Sequence, residues 1–123
     1  MERSQVAAIK SSTSSEVIDL SGKTDLLTLA AVVRKARLLV TVDSAPMHFA
    51  AAWDTPQVVL FGPTNPFHWH PRSESAIVLL GGNEGPVTEF SPKQRAVAMN
   101  QISTKAVIDA MESLLSAPAA PVL

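Results

Sequence analysis

Three short apolar runs, each halted by turn-forming residues, set the architecture open to this chain. They are Leu38-Leu39-Val40-Thr41-Val42, Gln57-Val58-Val59-Leu60-Phe61 and Ala76-Ile77-Val78-Leu79-Leu80. Each is too short for a helix and rich in β-branched residues, which suits a buried strand, the first of them covered on both faces. Asp43-Ser44-Ala45-Pro46, Gly62-Pro63 and Gly81-Gly82 stop them in turn. A fourth, weaker strand is expected at Val17-Ile18-Asp19-Leu20, closed by a Ser21-Gly22-Lys23 turn.

Helical patterns separate the runs. Thr24 is expected to cap a helix in which Leu26, Leu29, Ala30 and Val33 recur at helical spacing and form one apolar stripe. A short alanine-rich helix is expected from Met47 to Trp53. A last one follows a cap at Ser103 or Thr104, its apolar face being Ala106, Val107, Ala110, Met111, Leu114 and Leu115. Residues 81–101 read as a long loop with one helical turn around residues 92–99. Residues 1–15 read as a leader ending in a polar Ser/Thr connector, and residues 117–123 as a frayed tail. Strands alternating with helices make βαβ units, and hence an α/β fold with a Rossmann-like parallel sheet and flanking helices over residues 16–116.

Composition narrows the partners. A 123-residue chain with 46% hydrophobic and 17% charged residues suits a packed domain. Its net charge of −1 offers no general attraction for nucleic acid. Arg34, Lys35 and Arg37 cluster at the expected end of a helix, where cations favour the macrodipole. The chain has no cysteine, which removes thiol chemistry and fits a reducing cytoplasm. No stretch approaches the roughly 20 apolar residues that span a bilayer.

The segment that carries chemistry runs from Val40 to His48. In an open parallel sheet, ligands sit beyond the carboxyl ends of the strands. Here such a strand end leads straight into a helix, whose first amides lack intrahelical partners and attract anions. Pro46 suits the first helical turn, leaving the amides of Ala45, Met47 and His48 as candidates to hold oxygens. The Ser44 hydroxyl either caps the helix or donates to a phosphate. His48 can donate to a diphosphate or sugar hydroxyl, and Asp43 can accept from sugar hydroxyls. The bland alternative is a helix cap at Ser44 beside solvated Asp43 and His48.

The ordered series Asp43-Ser44-Ala45-Pro46-Met47-His48-Phe49-Ala50-Ala51-Ala52, Pro56 and Phe61-Gly62-Pro63-Thr64 resembles glycosyltransferase family 9, the ADP-heptose:lipopolysaccharide heptosyltransferases. Leu20-Ser21-Gly22-Lys23-Thr24-Asp25-Leu26 matches the stretch that precedes this strand in the family. Ala45 in place of a common glycine, and Phe67-His68-Trp69-His70-Pro71, look most like the third core heptosyltransferase branch. The resemblance implies the carboxy-terminal, nucleotide-sugar-binding half of a two-domain, metal-independent, inverting enzyme of the GT-B type. ADP-heptose would be its donor and the lipopolysaccharide core its acceptor.

Carried over to this sequence, Asp43 would contact the sugar and Ser44, Ala45, Pro46 and Met47 would face the phosphates. His48 would sit at the phosphate–sugar junction and Lys23-Thr24 by the adenine. Thr64 and His68 would line the cleft. The acidic base and acceptor site belong to an amino-terminal domain not recognisable in this sequence, so no catalytic residue is expected here and turnover by this chain alone would be negligible. The family also implies a cytoplasmic place, at the inner face of the bacterial inner membrane. Apolar surface that would meet the other domain leads us to expect some self-association.

Other readings are weaker. Ser44, His48 and Asp54 suggest a hydrolase, but Gly-x-Ser-x-Gly is absent and serine four residues before histidine at one helix start is poor triad geometry. His48, His68 and His70 suggest a metal site, but no Cys or close Asp completes the set, and His68, Trp69 and His70 read instead as a partly exposed loop lining the donor cleft. Trp53 reads as packing at a helix end. A non-catalytic nucleotide- or partner-binding module, or a transferase half using another nucleotide sugar, stays open.

Overall fold

A computed structural model describes residues 2–117. Its centre is a three-stranded parallel sheet, β1 (Leu39–Val42), β2 (Gln57–Phe61) and β3 (Ala76–Leu80), with spatial order following chain order. Leu39 pairs with Gln57, and Gln57 with Ala76, so the strands start level and their carboxyl ends share one side. The α/β parallel architecture is the one expected, and two of the three strands have the expected bounds.

Two clusters of apolar side chains hold the sheet. On one face Val59, Phe61, Val78 and Leu80 pack with Met47, the buried residue in the first turn of α3 (Ala45–Trp53), and with Val87 and Phe90. On the other, Val58 and Leu79 pack with Ala110 of α5 (Thr104–Ser116). Ala106, Val107, Met111 and Leu114 join them, as the helical spacing predicts, whereas Leu115 turns outward. Ser103 caps α5 by accepting from the Ala106 amide at 3.0 Å. Helix α2 (Leu26–Lys35) lies against α3 and buries Val33, whose carbonyl accepts from the buried Thr55 hydroxyl at 3.0 Å. Arg34, at the end of α2, lies over the Trp53 ring at 4.7 Å, so Trp53 does close a helix end.

Several expectations need correction. Residues 17–20 are not a strand: no described backbone group pairs with them along the sheet, and Ile18 is 77% exposed. Two to four residues gain too little to stay extended without a ladder partner. The leader is not featureless, since Glu2–Ser12 form helix α1, extended through Ser11 and Ser12 by hydroxyls that donate back to the Ala8 and Ile9 carbonyls. Asp25, not Thr24, caps α2, because its carboxylate accepts from the Thr28 amide at 2.7 Å. A charged acceptor makes the stronger cap.

The loop expected at His68, Trp69 and His70 contains a single helical turn, α4 (Pro66–Trp69), started by Asn65 accepting from the Phe67 amide, with Pro66 in the first turn. The turn expected around residues 92–99 falls later, as a 3₁₀ turn at Met99–Gln101. Strand β1 is not buried on both faces: it alternates between half-buried and exposed, since α5 packs chiefly on β2 and β3. Of the expected tail only Ala117 lies within the described residues, as the C-cap of α5.

Candidate donor-binding turn

The candidate residues 43–48 form one continuous turn at the carboxyl end of β1. Ser44 is fully extended (φ −161°, ψ 177°), and this places the first turn of α3 directly over the strand end. Helix α3 starts at Ala45, two residues earlier than its apolar pattern suggests, because Pro46 can occupy the first helical turn at no cost in hydrogen bonds. Met47 is fully buried under this turn. Its carbonyl accepts at 3.2 Å from the side-chain amide of Gln57, itself fully buried at the start of β2.

Gln57 was read only as the opening residue of a strand. It is a buried polar tie between sheet and site helix, with its Oε1 left without a partner. The signal was a lone amide heading an otherwise apolar run.

Two of the expected roles change. Ser44 makes no capping bond; its hydroxyl donates to the Val42 carbonyl at 3.2 Å and lies 3.5 Å from the Thr41 hydroxyl. The Met47 amide already donates to the Ser44 carbonyl at 3.1 Å. The Ala45 amide, in contrast, meets no acceptor among the described residues, as a helix start open to an anion requires. Asp43 is half-exposed and His48 exposed; neither carries a hydrogen bond or ion pair from a side chain among the described residues. The side of the turn that a ligand would reach is therefore polar and unspent.

The carboxyl ends of β2 and β3 are closed. Gly62 follows β2, and a side chain there would meet Met99 Cβ at 3.1 Å; Gly81 follows β3, and one there would meet the Ala98 carbonyl at 2.7 Å. Residues 97–101 thus lie against both strand ends. Thr64, half-buried, comes just after Gly62. His68 is exposed, with its ring edge-on to Phe67 at 5.1 Å. His70 instead stacks on Phe90 at 3.8 Å, and its Nδ1 donates to the Pro66 carbonyl. No hydrogen bond among the described residues links Thr64 or His68 to residues 43–48.

Lys23 and Thr24 belong to a separately wired loop. Asp19 accepts from the Ser21 amide at 2.9 Å and the Ser21 hydroxyl at 2.6 Å, and Lys23 Nζ donates to the Asp19 carbonyl at 3.2 Å. The Ser21 hydroxyl, then the Ser21 amide, hold the Asp19 carboxyl below its ordinary range; Lys23 and Lys10 add to this. Asp25 is lowered too, first by the Thr28 amide. The loop's bonds are local, and none reaches residues 43–48.

The rival constellations do not assemble. Ser44 and Asp54 sit at opposite ends of α3, and Asp54 accepts from Ser73 at 2.9 Å. No group of three His, Asp or Glu that could hold a metal ion occurs among the described residues, and no described helix is long and apolar enough to cross a membrane. A concavity of about 460 Å³ opens elsewhere, between residues 70–74, the first half of β3 and residues 87–90. It lies across the sheet from the β1–α3 corner and includes none of the candidate residues.

Comparison with known proteins bears on this corner. The profile of glycosyltransferase family 9 (heptosyltransferase) matches residues 1–99, so it takes in α1 and ends before α5. The chain is 37% identical over 100 residues to lipopolysaccharide heptosyltransferase 3 of Escherichia coli K12, covering 80% of this chain and 29% of that protein. It is 37% identical over 103 residues to lipooligosaccharide heptosyltransferase 2 of Haemophilus influenzae, covering 72% and 30%. Against lipopolysaccharide heptosyltransferase 2 of Salmonella typhimurium it is 31% identical over 113 residues, covering 90% and 32%. The chain thus spans about 30% of the length of these relatives. No solved structure matches it.

Proposed function

From the premise that this chain belongs to glycosyltransferase family 9, the heptosyltransferases, we propose that it is the donor-binding part of an inverting transferase of lipopolysaccharide core assembly. The single observation that carries this reading is the turn at residues 43–48: a parallel-strand end running into a helix start, with an unpartnered Ala45 amide, and with Asp43 and His48 beside it. The donor is a nucleotide sugar, ADP-heptose by family. Likeness to heptosyltransferase 3 supports the branch suggested by Ala45 and residues 67–71.

In this reading the diphosphate sits against the first turn of α3. The Ala45 amide and the helix dipole meet its charge, and His48 donates at the phosphate–sugar junction. Asp43 accepts from sugar hydroxyls. An acidic group of the acceptor domain removes the proton of an acceptor hydroxyl, whose oxygen attacks the anomeric carbon from the face opposite the diphosphate. The bond from that carbon to the diphosphate oxygen breaks and its electron pair leaves with ADP. Amides and an imidazole already in place stabilise that charge without reorganising, and no metal is called for. Thr64, half-buried just beyond Gly62, is the further residue that the family resemblance assigns to the cleft. Lys23, whose Nζ gives one of its three hydrogens to the Asp19 carbonyl, serves the adenine end with the others. In the two-domain arrangement that the family resemblance implies, base and acceptor belong to the amino-terminal domain, and turnover needs both domains together. Its place is the cytoplasmic face of the bacterial inner membrane, where a lipid-linked core would be met.

The test is a titration of isotope-labelled protein with ADP, UDP and GDP, followed by amide NMR with and without a chelator. Shifts centred on Ala45, Met47 and His48, strongest for ADP, unchanged by the chelator and lost in His48→Ala, are expected. Absence of shifts up to about 1 mM nucleotide, weaker than any useful donor affinity, would remove the donor-site reading. Equal shifts with all three nucleotides would leave a nucleotide-binding module without the adenine preference.

A further inference from the structure

Among the described residues, the sheet fully buries a single polar side chain, that of Gln57, which is 0% exposed. Alternation along β2 puts it on the same face as Val59 and Phe61, the face on which Met47 packs. A buried side-chain amide has two hydrogens and an oxygen to satisfy. Here Nε2 donates to the Met47 carbonyl at 3.2 Å, and no described group donates to Oε1. The Met47 carbonyl lies within α3, where the helix ladder already offers it an amide. The bond from Gln57 therefore rescues no stranded acceptor, and it brings a buried oxygen that stays unmet. An unbranched apolar side chain of the same length, such as methionine, would fill the place without that cost.

What the amide does supply is position. Its bond is the first of a series that runs from β2 through the first turn of α3 to the end of β1. The Met47 amide donates to the Ser44 carbonyl at 3.1 Å, and the Ser44 hydroxyl donates to the Val42 carbonyl at 3.2 Å. The turn is thus pinned from β2 at Met47 and from β1 at Ser44. Between the pins lies Ala45, whose amide meets no acceptor among the described residues, and just past them comes His48. Apolar packing alone would hold this turn down without fixing its rotation. The buried residues of α3 are Met47, a flexible side chain, and Ala50, a single methyl group. A hydrogen bond is directional, so the Gln57 amide fixes what that packing leaves loose.

We propose that Gln57 is a positioning residue of the donor turn, kept in the core at the expense of stability. Its bond to the Met47 carbonyl sets the rotation of the first turn of α3, and with it the aim of the Ala45 amide and the His48 ring. Gln57 touches no donor itself and acts through Met47. This inference rests on the donor reading of residues 43–48.

Gln57→Met in the whole chain separates position from stability. Its denaturant midpoint stays level or rises, while the affinity for ADP, read by amide NMR titration, falls about tenfold. Hydrogen exchange of the Met47 amide quickens about tenfold, and that of the buried Val59 amide, inside β2, keeps its rate. Gln57→Asn keeps the amide but is one methylene too short to reach Met47; it lowers ADP affinity as much, although it also lowers the midpoint. A Gln57→Met chain that unfolds, or whose midpoint drops, overturns the proposal, because Gln57 then serves the fold. An unchanged Met47 exchange rate overturns it too. A wild-type chain that binds no ADP overturns the donor reading and this inference with it. Wild-type binding that Gln57→Met leaves unchanged overturns this inference alone.

Discussion

The two ends of the sheet are finished differently. At the β3 end, the outer edge is bonded by Val87, the strand end is crossed by residues 97–101, and Val78, Leu79 and Leu80 are all buried. At the β1 end, the strand alternates in and out of solvent, no backbone group among the described residues bonds its outer edge, and its carboxyl end leads into the turn at residues 43–48. The parallel pairing is the same in both. What differs is how much of the molecule is spent on covering it. The closed end supplies stability, and the open end supplies accessible polar groups that a packed end could not keep unpaired without penalty.

That contrast can be broken by substitution. Leu80→Ala empties a site only 2% exposed and should cost about 2–5 kcal/mol, seen as a lower denaturant midpoint. Val42→Ala, at the equivalent end of β1, should cost well under half of that. Equal losses would mean that the β1 end is covered in solution. Gly81→Ala comes next, about 1–3 kcal/mol, because the new methyl must displace the Ala98 carbonyl or the Val97 side chain. Val42→Thr, which keeps the shape and adds a hydroxyl in a half-exposed place, should stay within about 0.5 kcal/mol.

The smallest effect concerns acid. Asp19 and Asp25 are held below the ordinary aspartate value in the folded chain, so their contribution is present above about pH 4 and is lost as pH falls through their folded values. Hydrogen exchange at the start of α2, near the Thr28 amide, should therefore quicken on acidification before β2 and β3 respond. Simultaneous loosening would mean that the loop and the sheet unfold as one unit.

The strands β2 and β3 were legible because each is a continuous apolar run bounded by glycine or proline, and burial on both faces writes that pattern directly. Helices α2 and α5 were legible by their spacing. The misreadings share a cause. Residues 17–20 have the composition of a strand, but pairing is decided by a neighbour and not by the segment itself. His68 and His70 sit at a helical turn dictated by Asn65 and Pro66, a local capping signal passed over when the segment is read as a plain loop. At the site, the position of residues 43–48 followed from the strand-to-helix order alone. The inward-turned Ser44 hydroxyl, the spent Met47 amide and the Gln57 tie depend on distances across the fold that no spacing encodes.

The match of strand order to chain order has a consequence for how the molecule is made. Each strand's partner is the next one synthesised, with a single helical crossover between them, so pairing closes short loops and never waits for a distant segment. As the chain leaves the ribosome, β1 can receive β2 and then β3 while α5 is still unmade. The face of Val58 and Leu79 is then the last to be sealed, and for that interval it is the surface a chaperone would find.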